Sequence, residues 1–246
     1  MFDTYAEIFA QRGAAYHRAM AECPRARDAE FLAVLEPLAG MAGALLCDLP
    51  SGGGYLAEHL PPGMRYVGVD PSDDFIDACP PGLDRIKADI TNVPLADGSV
   101  DCIVSLASLH HEPDLAAVFR EMRRLLSDGG RAVIADAADN APVAVFLNGF
   151  VNEHNPMGHE GHFLDGRAGA LLRDAGFSIM EDRLVPMPWQ FDSLTEAGAF
   201  CRQLFWMPEL SADEVADAMD REIGFEVVGG RPHLRWELRR IVCDAV

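Results

Sequence analysis

The run Leu45-Leu46-Cys47-Asp48-Leu49-Pro50-Ser51-Gly52-Gly53-Gly54 constrains this chain more than any other stretch. It reads as a short buried strand, a glycine-rich turn and a helix that starts near Tyr55. Glycine reaches positive φ freely and carries no Cβ, so such a turn lets backbone approach a nucleotide-like ligand. A helix start beyond it offers free N–H groups and the positive end of a dipole. Sixteen residues past Gly54, the segment Tyr66-Val67-Gly68-Val69-Asp70 reads as a second strand that ends in a carboxylate. A strand-end acid at that spacing suits a ribose, because one carboxylate accepts from both hydroxyls.

Further strands are expected at 84–88, 100–106, 131–136 and 177–184, with a last one at 233–244. Helices fall between them. The clearest is capped by Asp114, carries the stripe Leu115, Val118, Phe119, Met122, Leu125 and Leu126, and ends at Gly129-Gly130. This alternation predicts an α/β fold: a doubly wound, mostly parallel seven-stranded sheet with helices on both faces. Ligands in such sheets bind beyond the carboxyl ends of the strands, where Asp48, Asp70, Asp89 and Ser105 to His111 fall. Helices are also expected at 4–22, 25–39, 194–206 and 211–223, and an irregular insertion at 141–163.

A third segment joins these two. Ile86-Lys87-Ala88-Asp89-Ile90 is followed by Val93-Pro94-Leu95, by Asp97-Gly98-Ser99-Val100-Asp101, and then by Leu109-His110-His111. With the glycine turn and Asp70, these residues resemble the class I S-adenosylmethionine-dependent methyltransferases, in their small-molecule, type 11-like branch. The resemblance spans roughly 40–185. Pro50 departs from it, standing where the family usually has its first glycine and fixing φ near −65°. The resemblance implies a Rossmann-like core over 41–188 and 233–246. Outside that core, the N-terminal helices (1–40) are expected to cover the cofactor site, and insertions at 141–163 and 189–232 to form a helical substrate cap.

Composition narrows the partners. The 246 residues carry a net charge of −19, which repels phosphate backbones and anionic lipid. A small-molecule substrate is therefore expected, not nucleic acid or membrane. Arg231, Arg235, Arg239 and Arg240 form the single cationic cluster near the C-terminus, either a solvated strand face or a site for an acidic group. No run approaches the ~18 apolar residues of a membrane span, and the N-terminal residues lack a signal-peptide pattern. Six scattered cysteines without a CxxC pair suit a reducing cytoplasm.

Methyl transfer from a sulfonium needs mainly positioning, with a base only where the acceptor loses a proton. The cofactor, S-adenosylmethionine with S-adenosylhomocysteine as product, is assigned to the backbone of Pro50, Ser51, Gly52 and Gly54, with Asp48 orienting the loop. Asp70, beside Pro71, is assigned to the ribose, Asp89 and Ile90 to the adenine edge, Ser105 and Leu106 to the methionine side, and Tyr16 to closing the pocket. His110 and His111 are the candidate bases. His154 and His159, in the histidine-rich segment 153–162, and Trp206 are candidate substrate contacts. The histidine spacings match no zinc pattern, and no metal is expected. Two alternatives stay open: a non-catalytic module that binds the cofactor or its product, and a nicotinamide (NAD) oxidoreductase.

Overall fold

The structure, a computed structural model, describes residues 5–246; Thr4, where the first expected helix begins, lies outside them. The central sheet contains β1 (Leu45–Asp48), β2 (Arg65–Asp70), β3 (Asp84–Lys87), β4 (Val100–Leu106), β5 (Leu126–Asp136), β6 (Phe177–Pro186) and β10 (Glu237–Ala245). A small sheet holds β7 (Trp189–Gln190), β8 (Phe225–Val228) and β9 (Arg231–Leu234). The helices are α1 (Tyr5–Glu22), α2 (Asp28–Leu35), α3 (Asp73–Ala78), α4 (Leu115–Leu125), α5 (Pro142–Phe146), α6 (Asn152–His154), α7 (Ala168–Asp174), α8 (Leu194–Leu204) and α9 (Ala212–Glu222).

The seven-stranded order is β3-β2-β1-β4-β5-β10-β6. β10 runs antiparallel to both neighbours; the other pairings are parallel. The order reverses between β1 and β4, and the crevice outside that switch point is where such a sheet binds ligands. Side chains alternate across the sheet and are buried on both sides. Leu46, Cys102, Val104, Val133, Ala135 and Val242 join one core, with helices α1, α2, α5, α8 and α9. Cys47, Ile103, Ala132, Ile134, Ile241 and Cys243 join the other, with α4 and α7. This two-sided burial explains why the strands read as nearly continuous apolar runs.

Four elements differ from expectation. Tyr55–His59 is a 3-10 turn, not an α-helix, because Leu60 is already extended (ψ 139°) before Pro61. The helix after Asp114 stops at Leu125, since Leu126 turns extended (ψ 135°) and pairs with Val100. The 141–163 insertion is largely helical: α5 runs through a π-helical turn, Leu147–Val151, into α6, burying Val143, Ala144, Phe146, Leu147 and Val151. The expected strand at 233–244 is split. Its first residues belong to β9, which pairs with β8 through a Gly229-Gly230 hairpin whose φ values are 59° and 84°.

Candidate active site

A cavity opens at the carboxyl ends of β1, β4 and β5. The turn after β1 supplies Pro50, Ser51 and Gly52, β4 and its loop supply Leu106, Ala107 and Ser108, and β5 supplies Asp136 and Ala137. Tyr5, Phe9, Arg12 and Tyr16 of α1 face them, and Trp189, Phe205 and Trp236 close the far side.

Asp70 ends β2 fully buried. Its Oδ2 accepts from the Gly52 N–H at 2.8 Å and from the Tyr5 hydroxyl at 3.2 Å, and its Oδ1 accepts from the Ser72 N–H at 2.8 Å. Burial pushes this carboxyl up to about 7. Tyr5 lines the cavity, so its hydroxyl occupies a carboxylate position that a ribose hydroxyl would need. Asp48 accepts from the Tyr66 hydroxyl at 2.9 Å, and burial raises it to about 8. Gly52 and Gly54 both take positive φ (53° and 78°), but they differ in purpose. Gly52 meets the cavity, whereas a Cβ on Gly54 would lie 2.8 Å from the Cys79 sulfur, so Gly54 serves packing.

The two histidines after β4 are held differently. The His110 Nδ1 lies 2.7 Å from Asp136 Oδ1. A carboxylate accepts, so His110 carries its proton on Nδ1 and keeps Nε2 as the free acceptor. Asp136 also accepts from the backbone N–H groups of Ser108 and His110, each at 3.1 Å, which fixes the loop against β5. His111 Nε2 receives the Arg12 guanidinium at 3.4 Å. Burial, His110, His159 and Arg12 hold His111 well below the usual imidazole range. His159 reaches the cavity from the insertion. Its Nδ1 lies 3.2 Å from Asn148 Oδ1, and its backbone N–H donates to Asn152 Oδ1 at 2.6 Å. The π turn therefore has a local purpose: it presents Asn148 to the loop that carries His159.

Other expected site residues sit elsewhere. Asp48, Pro50, Ser51, Gly52, Leu106, Tyr16, His110, His111 and His159 line the cavity. Pro71, Asp89, Ile90 and Ser105 do not, and Asp89 instead closes a turn onto the Thr91 N–H at 2.8 Å. Ser105 is buried with no partner for its Oγ. His154 packs on Phe150, 4.5 Å between ring centroids, and Trp206 also lies off the wall, where its neighbour Phe205 stands. Arg239 pairs with Asp182 and Arg240 with Glu181 and Glu36, so neither is free to bind an acidic ligand. Asp136, Asn148 and Arg12 escaped sequence reasoning. Asp136 carried a signal, a strand-end acid at β5 like Asp70 at β2; the other two became legible only through contacts.

The β3-β2-β1-β4-β5-β10-β6 order, with a cavity at its switch point, is a Rossmann-like fold seen in solved methyltransferases. The geranyl diphosphate C-methyltransferase of Streptomyces coelicolor A3(2), solved with Mg2+, geranyl diphosphate and S-adenosyl-L-homocysteine, shares that fold. It aligns at a TM-score of 0.60 and 18% identity, over 94% of this chain and 84% of that one. Residues 47–134 match the family described as a methyltransferase domain. That segment is similar to a methyltransferase domain and takes in about a third of the chain. An uncharacterized methyltransferase of Mycobacterium sp. (strain KMS) is 36% identical over 97 residues. The phthiotriol/phenolphthiotriol dimycocerosates methyltransferase of Mycobacterium tuberculosis (strain ATCC 25618 / H37Rv) is 30% identical over 105. These matches cover 38% and 41% of this chain, and 38% of the length of each relative.

Proposed function

We propose that this chain transfers a methyl group from S-adenosylmethionine to a small organic acceptor. The observation that carries this is the cavity at the β1/β4 switch point, where the Pro50–Gly52 turn and the His110–Asp136 pair converge, with buried Asp70 bonded behind Gly52 and Tyr5 of its wall. The residues present fit the cofactor. Ser51 and Gly52 give backbone access, and the Asp70 carboxylate lies behind them, where a ribose hydroxyl would take the place the Tyr5 hydroxyl now holds. When bound, the cofactor supplies an electrophilic methyl group on its sulfonium.

The chain's own residues orient the partners and move one proton. His110 is the base of choice, because Asp136 holds its tautomer and leaves Nε2 free. His111 is the weaker candidate, since Arg12 already donates to its Nε2. Tyr5, Phe9 and Tyr16 of α1, with the α5–α6 segment and Phe205 beyond α8, act as the cap that excludes water. The insertions at 141–163 and 189–232 thus set substrate choice. The apolar and aromatic lining suits an acceptor with an apolar body.

The test is formation of S-adenosylhomocysteine from S-adenosylmethionine across a panel of small hydroxyl, amine and acid acceptors. Turnover with a member of the panel supports the proposal. Tight binding of both cofactor forms with no turnover on any acceptor would favour a non-catalytic binding module. Binding of NADH in their place would favour the oxidoreductase.

A further inference from the structure

Among the described residues, Arg12 is a buried charge with no counter-ion. It lies on α1, 5% exposed, and makes no ion pair among the described residues. Its Nε has no hydrogen-bond partner, Nη2 reaches His111 Nε2 at a long 3.4 Å, and the guanidinium lies 4.6 Å from the Phe9 ring centroid. The other buried arginines are satisfied: Arg27 by Glu30 and Tyr16, and Arg240 by Glu181 and Glu36. Burial lowers Arg12 to about 10, which leaves it charged at neutral pH. A buried, unpaired cation costs stability. The chain has 39 acidic residues, yet none of the described ones pairs with Arg12.

Its position gives the charge a use. Arg12, His111 and His159 line the strand-end cavity and also a second groove, which opens beside Ile8, Pro113 and Met157. These three side chains therefore form the wall between the proposed cofactor pocket and a separate approach from the 152–162 segment. Among the described residues, the one acid along that groove, Glu160, is exposed. One ring nitrogen from each of His110, His111 and His159 lies within 4.8 Å of the others, a spacing that would suit a metal. Arg12 opposes that use, because it occupies the His111 Nε2 lone pair and adds positive charge. One guanidinium beside neutral imidazoles matches a single negative charge, so a carboxylate fits better than a phosphate dianion.

We propose that Arg12 anchors a carboxylate carried by the acceptor, which enters through the groove beside residues 152–162, so that the substrate is a small organic acid. This rests on the methyl-transfer reading above and names its substrate class. The test uses benzoate and hexanoate, each beside its neutral alcohol, titrated into the full chain with and without saturating S-adenosylhomocysteine. Wild type, Arg12→Gln and Arg12→Lys are compared, with thermal unfolding to verify that each folds.

The expected result is that at least one acid binds wild type about tenfold or more tightly than its alcohol. That preference is lost in Arg12→Gln and partly restored in Arg12→Lys, while affinity for S-adenosylhomocysteine stays the same in all three. Equal binding of acid and alcohol, no binding of either acid, or an acid preference that survives Arg12→Gln would overturn the proposal. Loss of S-adenosylhomocysteine affinity in Arg12→Gln would also overturn it, by assigning the guanidinium to the cofactor's own carboxylate. So would stoichiometric Zn2+ binding that His159→Ala abolishes. Failure of wild type to bind S-adenosylhomocysteine would instead remove the methyl-transfer reading, while the cofactor-free titration still reports on Arg12.

Discussion

Asp70 must be both buried and ionised to serve a ribose. Its three donors favour the carboxylate, but burial outweighs them and leaves it near 7. Protonation removes acceptor capacity, so affinity for S-adenosylhomocysteine should rise as pH increases through about 7 and level off above it. Calorimetry across that range checks this; an affinity independent of pH would mean the ribose does not use this carboxylate. His110 gives a second expectation at the same scale. His110→Ala should lower turnover by about 10²- to 10⁴-fold while leaving cofactor affinity unchanged, if the acceptor must lose a proton. Asp48, Asp70 and His110 were legible because each follows an apolar strand whose end is written in the sequence. Arg12 was not, because one arginine on an amphipathic helix looks like any other until its surroundings are known. Asn148 was hidden for the same reason: its partner His159 is reached only through the folded loop.

At the scale of elements, α8 and α9 show how one residue sets a crossing. A Cβ on Gly198 would lie 1.8 Å from the Ala212 carbonyl oxygen, at the start of α9. Ser211 and Glu214 close a capping box there, which fixes the local backbone that carries the Ala212 carbonyl. Gly198→Ala should therefore destabilise the protein by about 2 kcal/mol or more, despite alanine's better helix propensity. Denaturant unfolding measures this, and a neutral or stabilising result would contradict the close approach. Strands and the longer helices could be read from apolar spacing and caps, as with Asp114, whose Oδ1 accepts from the Ala117 N–H at 3.0 Å. The 3-10 turn at Tyr55–His59 could not, because helix propensity there yields to the extended residue that Pro61 demands. The β7-β9-β8 sheet was hidden because its strands are two to four residues long, too short for a periodic signal.

For the whole molecule, the sheet buries carboxyl groups as well as apolar area. Asp48 and Asp70 both have carboxyls raised by burial, to about 8 and about 7. A raised folded-state value means the native protein holds protons that the unfolded chain has released. The stabilisation is complete below the ordinary carboxylate range and is lost as pH climbs through those two values. Asp48→Asn removes one of these contributions. Its melting temperature should therefore gain on wild type between about pH 5 and about pH 8; a constant difference would mean Asp48 is not protonated in the fold. The seven-stranded architecture was legible because alternation of strands and helices fixes it through general connection rules. The walls of the cavity were less so, because α1, the 152–162 loop and Phe205 converge from segments far apart in the chain.

The most direct test is calorimetric titration of S-adenosylhomocysteine, beside NADH, into wild type and Asp70→Ala. Micromolar binding of S-adenosylhomocysteine to wild type, lost in Asp70→Ala and with no NADH binding, is the predicted result. No binding to wild type, or equal binding to the variant, would contradict the assignment of the β1/β4 cavity to this cofactor.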